Sequence, residues 1–460
     1  MTEKKFAVRA GFVGFGEVNT PREFIDGRCH EAAEALRRRG VEIFETAPVS
    51  DDPAGAQADR AAAELAGADF DALVVCIAGW IPSWAVLRVI DRFRHKPLLL
   101  WGLSGWRRGD SFVTTADQAG STALRAPLDE MGFNFKYLVN FRDSGPRCDE
   151  AADYLRAASA ASALRRMRIG MAGYRDMNLY GTLYDGTGLR GVLGMEIEHF
   201  DLLEIAEILR KLSAREIGAA TEKIRKEWIF LREPRPETLE KSASLALAFG
   251  RKIEERGYDG FSFCDVDGVK KLLKFAPAGA LTFLHELIPG LVTVPENDAP
   301  GAATQLIVQH LTGGTVPAYM EFYEFSGNSA LMGVPDYVPG CVADGKITVM
   351  PSAFGSFGEG LLNVSKVRTG KVTLARLYRA HGAYGIHAAV AEAVAPEKWE
   401  EAGWAPPAPQ LPGLEMKFAF PSEKFLDFVQ GQHYIVSYGD IVGRLADFCR
   451  VTGINFVVSR

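Results

Sequence analysis

Apolar and polar positions follow two alternating patterns along the first three quarters of this chain of 460 residues. Short apolar runs rich in β-branched residues, typical of buried strands, are separated by longer segments in which apolar residues recur at helical spacing. In the N-terminal part the predicted strands and helices are, in order, 7–15, 22–39, 41–44, 56–65, 72–77, 84–93, 97–101 and 117–131. Strands that alternate with helices predict a parallel sheet with helices on both faces. A doubly wound first domain, residues 1–165, is therefore expected.

The alternation starts again and predicts a second domain, residues 166–352. Its expected elements are 168–173, 196–200, a long polar helical stretch at 209–228, 237–256, 260–264, 291–294, 299–311 and 317–322. Beyond it, short strands are expected at 363–368 and 372–378, a proline-containing loop at 404–411 and a helix at 440–449. The predicted fold class is α/β, with two doubly wound, Rossmann-like parallel-sheet domains followed by a smaller β-rich C-terminal domain, residues 353–460.

Two carboxylates stand out in the second domain. Glu296 follows the apolar run 291–294, and Glu321 lies in the strand after the helix 299–311. A strand, a helix and a strand form a βαβ unit whose parallel strands end at the same edge of a sheet, where open α/β sheets bind ligands. The spacing therefore predicts that both glutamates reach one site. It equally suits structural roles, with Glu296 at a helix N-terminus and Glu321 on an edge strand.

Three segments, in order along the chain, resemble a known family. They are the acid after a strand with its helix ending in Leu-Thr-Gly-Gly (311–314), the Pro-Ala-Tyr-Met-Glu strand (317–321), and Gly-Gln-His-Tyr-Ile-Val-Ser-Tyr-Gly-Asp (431–440). They resemble the metal-binding centre of the L-fucose and L-arabinose isomerases, and the similarity extends loosely over nearly the whole chain. The resemblance implies an aldose–ketose isomerase, that is, an intramolecular oxidoreductase of carbohydrate metabolism that converts a sugar through an enediol.

The resemblance also implies roles for three side chains. Glu296, Glu321 and His433 would hold the metal, and the two glutamates would also form the acid/base pair, with the proton-transferring one left open. Two carboxylates and one imidazole make a mostly oxygen-donor site, which suits Mn²⁺ or Mg²⁺.

Two departures from the family leave the sugar open. Where the arabinose branch has a second histidine after its Gly-Asn turn, this chain has Pro335, and where the fucose branch has an aspartate the nearest match is Glu321. The chain is a hybrid of the two branches. Asn328, in the Gly-Asn turn, is a candidate substrate contact.

Aromatic and basic residues of the first domain are further candidate substrate contacts. Sugars stack on aromatic faces, so Trp80 and Trp106 are candidates, although burial in the domain core is an equal alternative. Arg107 and Arg108 belong either to a solvated turn or to an anion contact, which would suit a sulfonated or phosphorylated sugar. Because this domain holds no metal-ligand candidate, the resemblance implies a homo-oligomer with sites near subunit interfaces.

Composition excludes several classes of protein. A hydrophobic fraction of 47% and a charged fraction of 24% are ordinary for a globular protein, and a net charge of −6 gives no reason to expect nucleic acid or an anionic membrane as partner. The six cysteines are scattered without Cys-x-x-Cys, and the N-terminal segment lacks the apolar core of a signal peptide. The longest uncharged run, 72–87, is too short to span a membrane. A cytoplasmic protein is expected.

One cofactor motif is rejected on its context. Residues 186–191, Gly-Thr-Gly-Leu-Arg-Gly, have the spelling of a dinucleotide fingerprint. They precede a strand-like run instead of opening a helix directly after a strand, so a loop is predicted there.

Two other functions fit the same features. One is another metal-assisted sugar enzyme, such as an epimerase or an aldolase. The other is a non-catalytic, bilobed sugar-binding protein, which would need no metal and would tolerate Glu296→Gln with little change in ligand affinity.

Overall fold

The computed structural model describes residues 6–334, 338–354, 357–405, 408–409 and 411–460. Pro335, the prolines at 406 and 407 of the expected loop, and the first five residues of the N-terminal segment lie outside the described residues. The chain forms two compact units: an N-terminal unit of the described residues up to Ala163 with Ala446–Thr452, and a larger unit of Leu164–Leu445 with Gly453–Arg460. The domain boundaries expected near residues 165 and 352 stay predictions.

The N-terminal unit is built on a parallel sheet of five strands in the order β2-β1-β3-β4-β7. Its elements are β1 (Val8–Phe15), α1 (Arg22–Arg37), β2 (Val41–Glu45), α2 (Ala56–Ala66), β3 (Ala72–Ile77), α3 (Ser83–Ile90), β4 (Leu98–Gly102), β5 (Trp106–Arg108), β6 (Ser111–Val113), α4 (Asp117–Glu130), β7 (Phe135–Val139) and α5 (Cys148–Leu164). β5 and β6 form a separate antiparallel hairpin.

Apolar packing on both faces of this sheet explains its continuously apolar central strands. One buried cluster joins the sheet to α1 and α5, and another joins it to α2, α3 and α4. All six residues of β3 are buried, as expected for a parallel strand covered on both sides. The doubly wound arrangement predicted for this part of the chain is confirmed.

The larger unit begins with a second parallel sheet, of four strands in the order β12-β11-β8-β9. Up to β12 its elements are β8 (Arg168–Ala172), α6 (Gly186–Leu193), β9 (Glu196–Phe200), α7 (Leu202–Lys211), α8 (Ala214–Glu227), β10 (Ile229–Phe230), α9 (Pro236–Arg256), β11 (Gly260–Phe263), α10 (Ala278–Leu287) and β12 (Val292–Val294), with a π-helical segment at Asp265–Leu273. The chain order reverses between β8 and β11, and such a reversal opens a crevice at the carboxyl ends of the strands.

Seven of the strands that follow form a mixed sheet that closes on itself. Six of them pair in the order β17-β23-β13-β14-β22-β18, β18 pairs back with β17, and β24 joins β18 in parallel. The elements from residue 299 onward are α11 (Ala299–Leu311), β13 (Ala318–Ser326), β14 (Ser329–Gly333), β15 (Thr348–Phe354), β16 (Glu359–Asn363), β17 (Gly370–Ala380), β18 (Ala383–Val394), β19 (Glu400–Glu401), β20 (Trp404–Ala405), β21 (Ala408–Pro409), β22 (Gly413–Lys417), α12 (Ser422–Leu426), β23 (His433–Tyr438), α13 (Val442–Thr452) and β24 (Asn455–Ser459). Of these, β15, β16 and β20 form a separate sheet with β10, and β19 pairs with β21. With the two parallel sheets, it confirms the predicted α/β fold class with its β-rich C-terminal part.

The predicted βαβ unit is wrong, because β12 and β13 belong to different sheets. β13 runs for nine residues and turns back through Gly327 and Asn328 into β14, so the hairpin fixes its pairing as antiparallel. Helix α11 between them is buried at every position and contacts strands of both the parallel sheet and the closed sheet. Although α11 is largely apolar, no described helix is both long enough and apolar enough to cross a membrane.

The loop predicted at residues 186–191 is also wrong, because these residues open helix α6. The Asp185 side chain accepts the Gly188 N–H at the N-terminus, and Gly194 ends the helix in the left-handed conformation. Leu189 and Leu193, four residues apart, are both buried. This spacing anchors one face of the helix despite its glycines.

Two further predictions are corrected. The polar stretch 209–228 is two helices, because Ser213 and Glu216 form a capping box that starts α8 just after α7 ends. The segment 404–411 is not only loop, because β20 pairs with β15, and β21 with β19, on either side of the prolines.

A glycine in β16 is expected to be essential for packing. A Cβ on Gly360 would lie 2.0 Å from the carbonyl oxygen of Ala276, a backbone atom that cannot move aside cheaply. We expect Gly360→Ala to lower the free energy of unfolding by about 1–3 kcal/mol or more, measured by urea denaturation. The control is Gly218→Ala in α8, where a Cβ meets nothing within 4 Å. It should stabilise the protein by roughly 0.5–1 kcal/mol, and equal effects of the two substitutions would contradict this packing argument.

Candidate active site

Glu296 lies in a tight turn at the carboxyl end of β12. Glu296 and Asn297 both adopt the left-handed conformation, with φ of 62° and 50°, which costs a non-glycine residue roughly 1–2 kcal/mol. Hydrogen bonds hold the turn. The Glu296 N–H donates to Asp265 Oδ1 (3.1 Å), and the Asn297 side chain donates to the carbonyl oxygen of Ala172 (3.0 Å). The turn is therefore fixed at the carboxyl edge of the four-stranded parallel sheet, beside the crevice between β8 and β11.

Glu321 and His433 are direct neighbours across two strands of the closed sheet. In the antiparallel pairing of β13 with β23, Glu321 lies opposite His433, so the two side chains project from the same face within a few ångströms of each other. Tyr319 lies two residues before Glu321 on the same face. Its ring stacks on the His433 imidazole, with 4.5 Å between ring centroids.

The structure brings the three predicted residues together around one imidazole. His433 Nε2 lies 3.3 Å from Glu321 Oε2, and His433 Nδ1 lies 3.9 Å from Glu296 Oε2. The His433 side chain is only 6% exposed, and both carboxylates are largely buried. The predicted proximity is thus present, but its cause is the contact of two different sheets through α11, not the common edge of one parallel sheet.

The electrostatic environment favours the ionised form of Glu321. Burial alone would raise the pKa of Glu321, but a hydrogen bond and charge from His433, with a hydrogen bond from Tyr323, outweigh it and hold this pKa below its usual range. Glu321 is therefore a carboxylate at neutral pH. It is available as a hydrogen-bond acceptor, as a base or as a ligand for a cation.

A buried ion pair lies behind His433. The Arg376 guanidinium donates to both carboxylate oxygens of Asp298, at 2.5 and 2.9 Å, and the Tyr319 hydroxyl donates to the same carboxylate at 2.8 Å. Asp298 also caps α11 by accepting the Gly301 N–H (2.9 Å). One carboxylate thus fixes the helix that follows Glu296 and the tyrosine that stacks on His433.

A second buried charge cluster holds the turn that carries Glu296. Asp265 pairs with Lys270 of the π-helical segment, 2.8 Å away. Burial alone would raise the pKa of Asp265, but Lys270 outweighs it and this pKa lies below its usual range. Asp176 is fully buried. Burial, together with the hydrogen bond and the charge of the adjacent Asp265, raises the pKa of Asp176 to about 6.

The donor types at the site fit a hard divalent cation. Carboxylate and imidazole groups are suitable ligands for Mn²⁺. The arrangement is pairwise, with each His433 nitrogen facing a different carboxylate. Among the described residues no group of three His, Cys, Asp or Glu side chains is already arranged to hold a metal ion. Glu296, Glu321 and His433 therefore fit a metal in chemical type and proximity.

Four of the candidate substrate contacts belong to the N-terminal unit. Trp80 is 40% exposed. Trp106 is partly covered, because it stacks on Phe24 and lies under the Arg28 guanidinium. Arg107 and Arg108 lie on β5 and are exposed. Their roles toward a substrate stay predictions.

Asn328 lies in the larger unit, in the turn between β13 and β14. Its side chain donates weakly to the carbonyl oxygen of Phe418 (3.4 Å). The turn is at the opposite end of β13 from Glu321, roughly 20 Å away at the ordinary rise of about 3.3 Å per residue. Its role as a substrate contact also stays a prediction.

Several residues around the site were not predicted from the sequence. Tyr319 could have been, because it shares a strand face with Glu321. Asp298 is predictable only as a cap of the helix 299–311. Its pairing with Arg376 is not, because 78 positions separate the two residues. Asp176 and Lys270 likewise lie in a short 3₁₀ helix and a π-helical segment that have no periodic pattern.

Comparison with known proteins identifies the class. The chain is 23% identical over 314 residues to an L-arabinose isomerase of Shouchella clausii (strain KSM-K16), with 66% of this chain and 63% of that protein covered. It is 26% identical over 232 residues to sulfoquinovose isomerases of Priestia aryabhattai and Priestia megaterium (strain ATCC 12872 / QMB1551), with 50% of this chain and 51% of each relative covered. The chain is therefore related to sugar isomerases. Within that class the relatives are an L-arabinose isomerase and sulfoquinovose isomerases at low identity, which confirms the resemblance as a distant one.

The other comparisons add little. The aligned part spans 63% of the arabinose isomerase and 51% of the sulfoquinovose isomerases, and no family model matches the chain. A solved periplasmic binding protein of the arabinose ABC transporter from Shewanella sp. ANA-3 is 12% identical, with 66% of this chain and 86% of that chain covered. The TM-score of 0.17 is too low to support any argument about fold or function.

The raised pKa of Asp176 predicts a pH-dependent stability. A carboxyl group whose pKa is about 6 in the folded protein, against 3.8 as the ordinary value, stabilises the fold fully below pH 3.8 and loses this contribution as the pH rises through 6. We expect the free energy of unfolding of the chelator-treated wild type to fall by roughly 1–3 kcal/mol between about pH 4 and pH 7, relative to Asp176→Asn. Urea denaturation at several pH values measures this. The control is Asp143→Asn, at an exposed aspartate. If the free energy of unfolding has the same pH dependence in the wild type and in Asp176→Asn, the assignment is refuted.

Proposed function

We propose that this protein is a metal-dependent aldose–ketose isomerase whose active site consists of Glu296, Glu321 and His433. The observation that carries the proposal is the meeting of these side chains, from the turn after β12, from β13 and from β23, around one buried imidazole. The relationship to sugar isomerases supports the same reaction class.

The three residues would hold Mn²⁺ or Mg²⁺. The chemistry that such an ion supplies when bound is polarisation of the sugar carbonyl, which makes the neighbouring C–H more acidic. His433 would act as a ligand only. The stack on Tyr319 restricts its ring orientation, so the imidazole is positioned before any ligand arrives.

One glutamate would move the proton that converts aldose to ketose. A carboxylate near C1 and C2 takes the proton from C2 while O1 gains a proton, which gives the enediol. It then returns the proton to C1 while the O2 hydroxyl gives up its proton, so that O2 becomes the carbonyl oxygen of the ketose. The lowered pKa of Glu321 keeps it ionised and able to accept this proton. Glu296 is held by the turn that Asp265 fixes, and it serves as the partner acid or base. Which glutamate leads is left to experiment.

The substrate we propose is a sugar aldose, with a sulfonated sugar as the specific candidate. The sulfoquinovose isomerase relatives motivate that candidate, together with the exposed pair Arg107 and Arg108, whose guanidinium donors match a sulfonate. Trp80 and Trp106 are proposed as stacking surfaces for the sugar. Their place in the N-terminal unit motivates the further proposal of a cytoplasmic homo-oligomer with sites near subunit interfaces.

The metal requirement is directly testable. We expect purified protein to bind Mn²⁺ and to convert an aldose, with L-arabinose and sulfoquinovose tested first, and to lose this activity on chelation. His433→Ala should weaken Mn²⁺ binding, and excess Mn²⁺ should restore part of its rate. His310→Ala, in the buried helix α11, controls for the loss of a buried imidazole elsewhere. Full activity of the chelated enzyme, or unchanged Mn²⁺ affinity in His433→Ala, would reject the proposed metal role.

The roles of the glutamates can be separated from metal binding. Glu321→Gln and Glu296→Gln keep the size of the side chain and one coordinating oxygen but remove the base. Loss of a general base costs about 10²–10⁴ in rate, so the variant of the proton-transferring glutamate should stay inactive at saturating Mn²⁺. A C2-deuterated aldose should also exchange its label with solvent, because a base-held proton can escape.

Two outcomes would point elsewhere. Complete retention of deuterium with metal rescue of both Gln variants would reduce the glutamates to ligands and favour an intramolecular hydride shift. Unchanged sugar affinity in Glu296→Gln, without turnover in the wild type, would favour the non-catalytic sugar-binding protein.

A further inference from the structure

One nitrogen of the Arg376 guanidinium makes no hydrogen bond within the described part of the chain. Two nitrogens of its guanidinium donate to Asp298, and Nη2 also donates to the carbonyl oxygen of Gly181 (3.0 Å). The third, Nε, is buried and has no hydrogen-bond partner among the described residues. The residue as a whole is only 2% exposed. A buried, unsatisfied N–H is costly, on the order of 1–3 kcal/mol, and calls for an explanation.

A small cavity lies in front of this donor. Its volume is about 30 Å³, and its lining comprises Leu179, Gly181, Thr182, Arg376, Gly431, Gln432 and His433. A space of this size holds one water-sized group. Because His433 forms part of the wall, the cavity is adjacent to the proposed metal ligand.

Gly431 keeps the cavity open. A Cβ at this position would lie 3.7 Å from Arg376 Nε and 3.9 Å from Nη2, that is, within the space that the donor faces. Any larger residue at position 431 would take the place of a ligand atom. The absence of a side chain at this position therefore gives a small group access to Nε.

The chemistry of the cavity selects a neutral oxygen and not an anion. Asp298 already balances the positive charge of Arg376 through two hydrogen bonds, and Nε has a single N–H to offer. A sulfonate or phosphate is bound by several hydrogen-bond donors and by a positive charge that no other anion already balances. A hydroxyl needs one donor and fits the volume.

We propose that Arg376 Nε and the space beside Gly431 form a subsite that accepts one hydroxyl oxygen of the sugar next to His433. The inference rests on the proposed function for the identity of the ligand as a sugar. It deepens that function, because it makes Arg376 a specificity-determining residue that reads a hydroxyl. A sulfonate of the same substrate would bind elsewhere.

The test measures binding without turnover. The probes are the sugar alcohols obtained by reduction of L-arabinose and of sulfoquinovose, which have no carbonyl to isomerise, and their monodeoxy analogues, each lacking one hydroxyl. Calorimetric titration of the Mn²⁺-supplemented full chain gives the Kd of each probe. In the wild type, removal of one particular hydroxyl should weaken binding about 10-fold or more, because Nε is left unpaired.

Gly431→Ala should bind the parent alcohol as weakly as the wild type binds that one deoxy analogue, with no further loss when the hydroxyl is removed. The matched control is Gly439→Ala, at the other end of β23, where the glycine also has a positive φ but a Cβ meets nothing within 4 Å. It should keep the wild-type pattern. If circular dichroism shows that Gly431→Ala is unfolded, Arg376→Lys replaces it, because lysine keeps a cation for Asp298 and lacks the Nε–H.

The outcomes separate this inference from the proposed function. Suppose that the wild type isomerises the sugar and that removal of the hydroxyl weakens binding to Gly431→Ala as much as binding to the wild type. This result would overturn the subsite and leave the isomerase proposal intact. Suppose instead that removal of the hydroxyl weakens binding to the wild type but not to Gly431→Ala, and that the protein converts neither aldose. This result would support the subsite and reject the isomerase. Failure of both alcohols to bind the wild type would count against a hydroxyl subsite for either sugar.

Discussion

The buried pair of Asp298 and Arg376 is the interaction on which the geometry of the candidate site depends. Asp298 starts helix α11 two residues after Glu296, and Arg376 lies on β17 of the closed sheet, so their hydrogen bonds join the turn after the parallel sheet to the sheet that carries Glu321 and His433. Removing one partner of such a pair leaves an uncompensated buried charge and typically costs about 3–5 kcal/mol. The same carboxylate orients Tyr319 under the His433 ring. This ion pair therefore contributes to the alignment of the two glutamates by joining the elements that carry them.

The sequence could predict the fold class and the identity of the central residues, but not the reason for their proximity. The apolar run 72–77 predicts β3 with its observed bounds, and the apolar spacing in 299–311 predicts α11, because burial on all sides leaves a strong local signal. The hairpin at Gly327 pairs β13 with β14. No local pattern shows that this antiparallel pairing is preferred to the predicted place of β13 in the parallel sheet of β12. The glycines in 186–191 lower the helix propensity of this segment, so neither α6 nor its cap at Asp185 was predicted. Residues joined only in three dimensions, such as Arg376 with Asp298, carry no sequence signal at all.

The closed sheet positions Glu321 and His433 in a different way from that in which a parallel sheet positions its site residues. In a parallel sheet, residues meet at the carboxyl edge, where strand ends are free to vary. Here only Glu296 is placed in that way, by the crevice between β8 and β11. Glu321 and His433 instead form the last pair of a hydrogen-bonded ladder, where the pairing register fixes their separation. One half of the site is thus held rigidly by a sheet and the other by a strained turn, so any adjustment on ligand binding is expected at Glu296.

The charged groups at the site suit the proposed cation in the same way as the ligand types do. Asp298 pairs with Arg376, and Asp265 with Lys270, both as buried ion pairs. Glu296 and Glu321 each face one nitrogen of His433, and the charge of Lys270 also lowers the pKa of Glu321. A divalent cation held by these three residues would interact with two carboxylates and with a neutral imidazole, which is the form of histidine that binds metals. The negative charge carried by the two glutamates therefore fits the proposed ligand role.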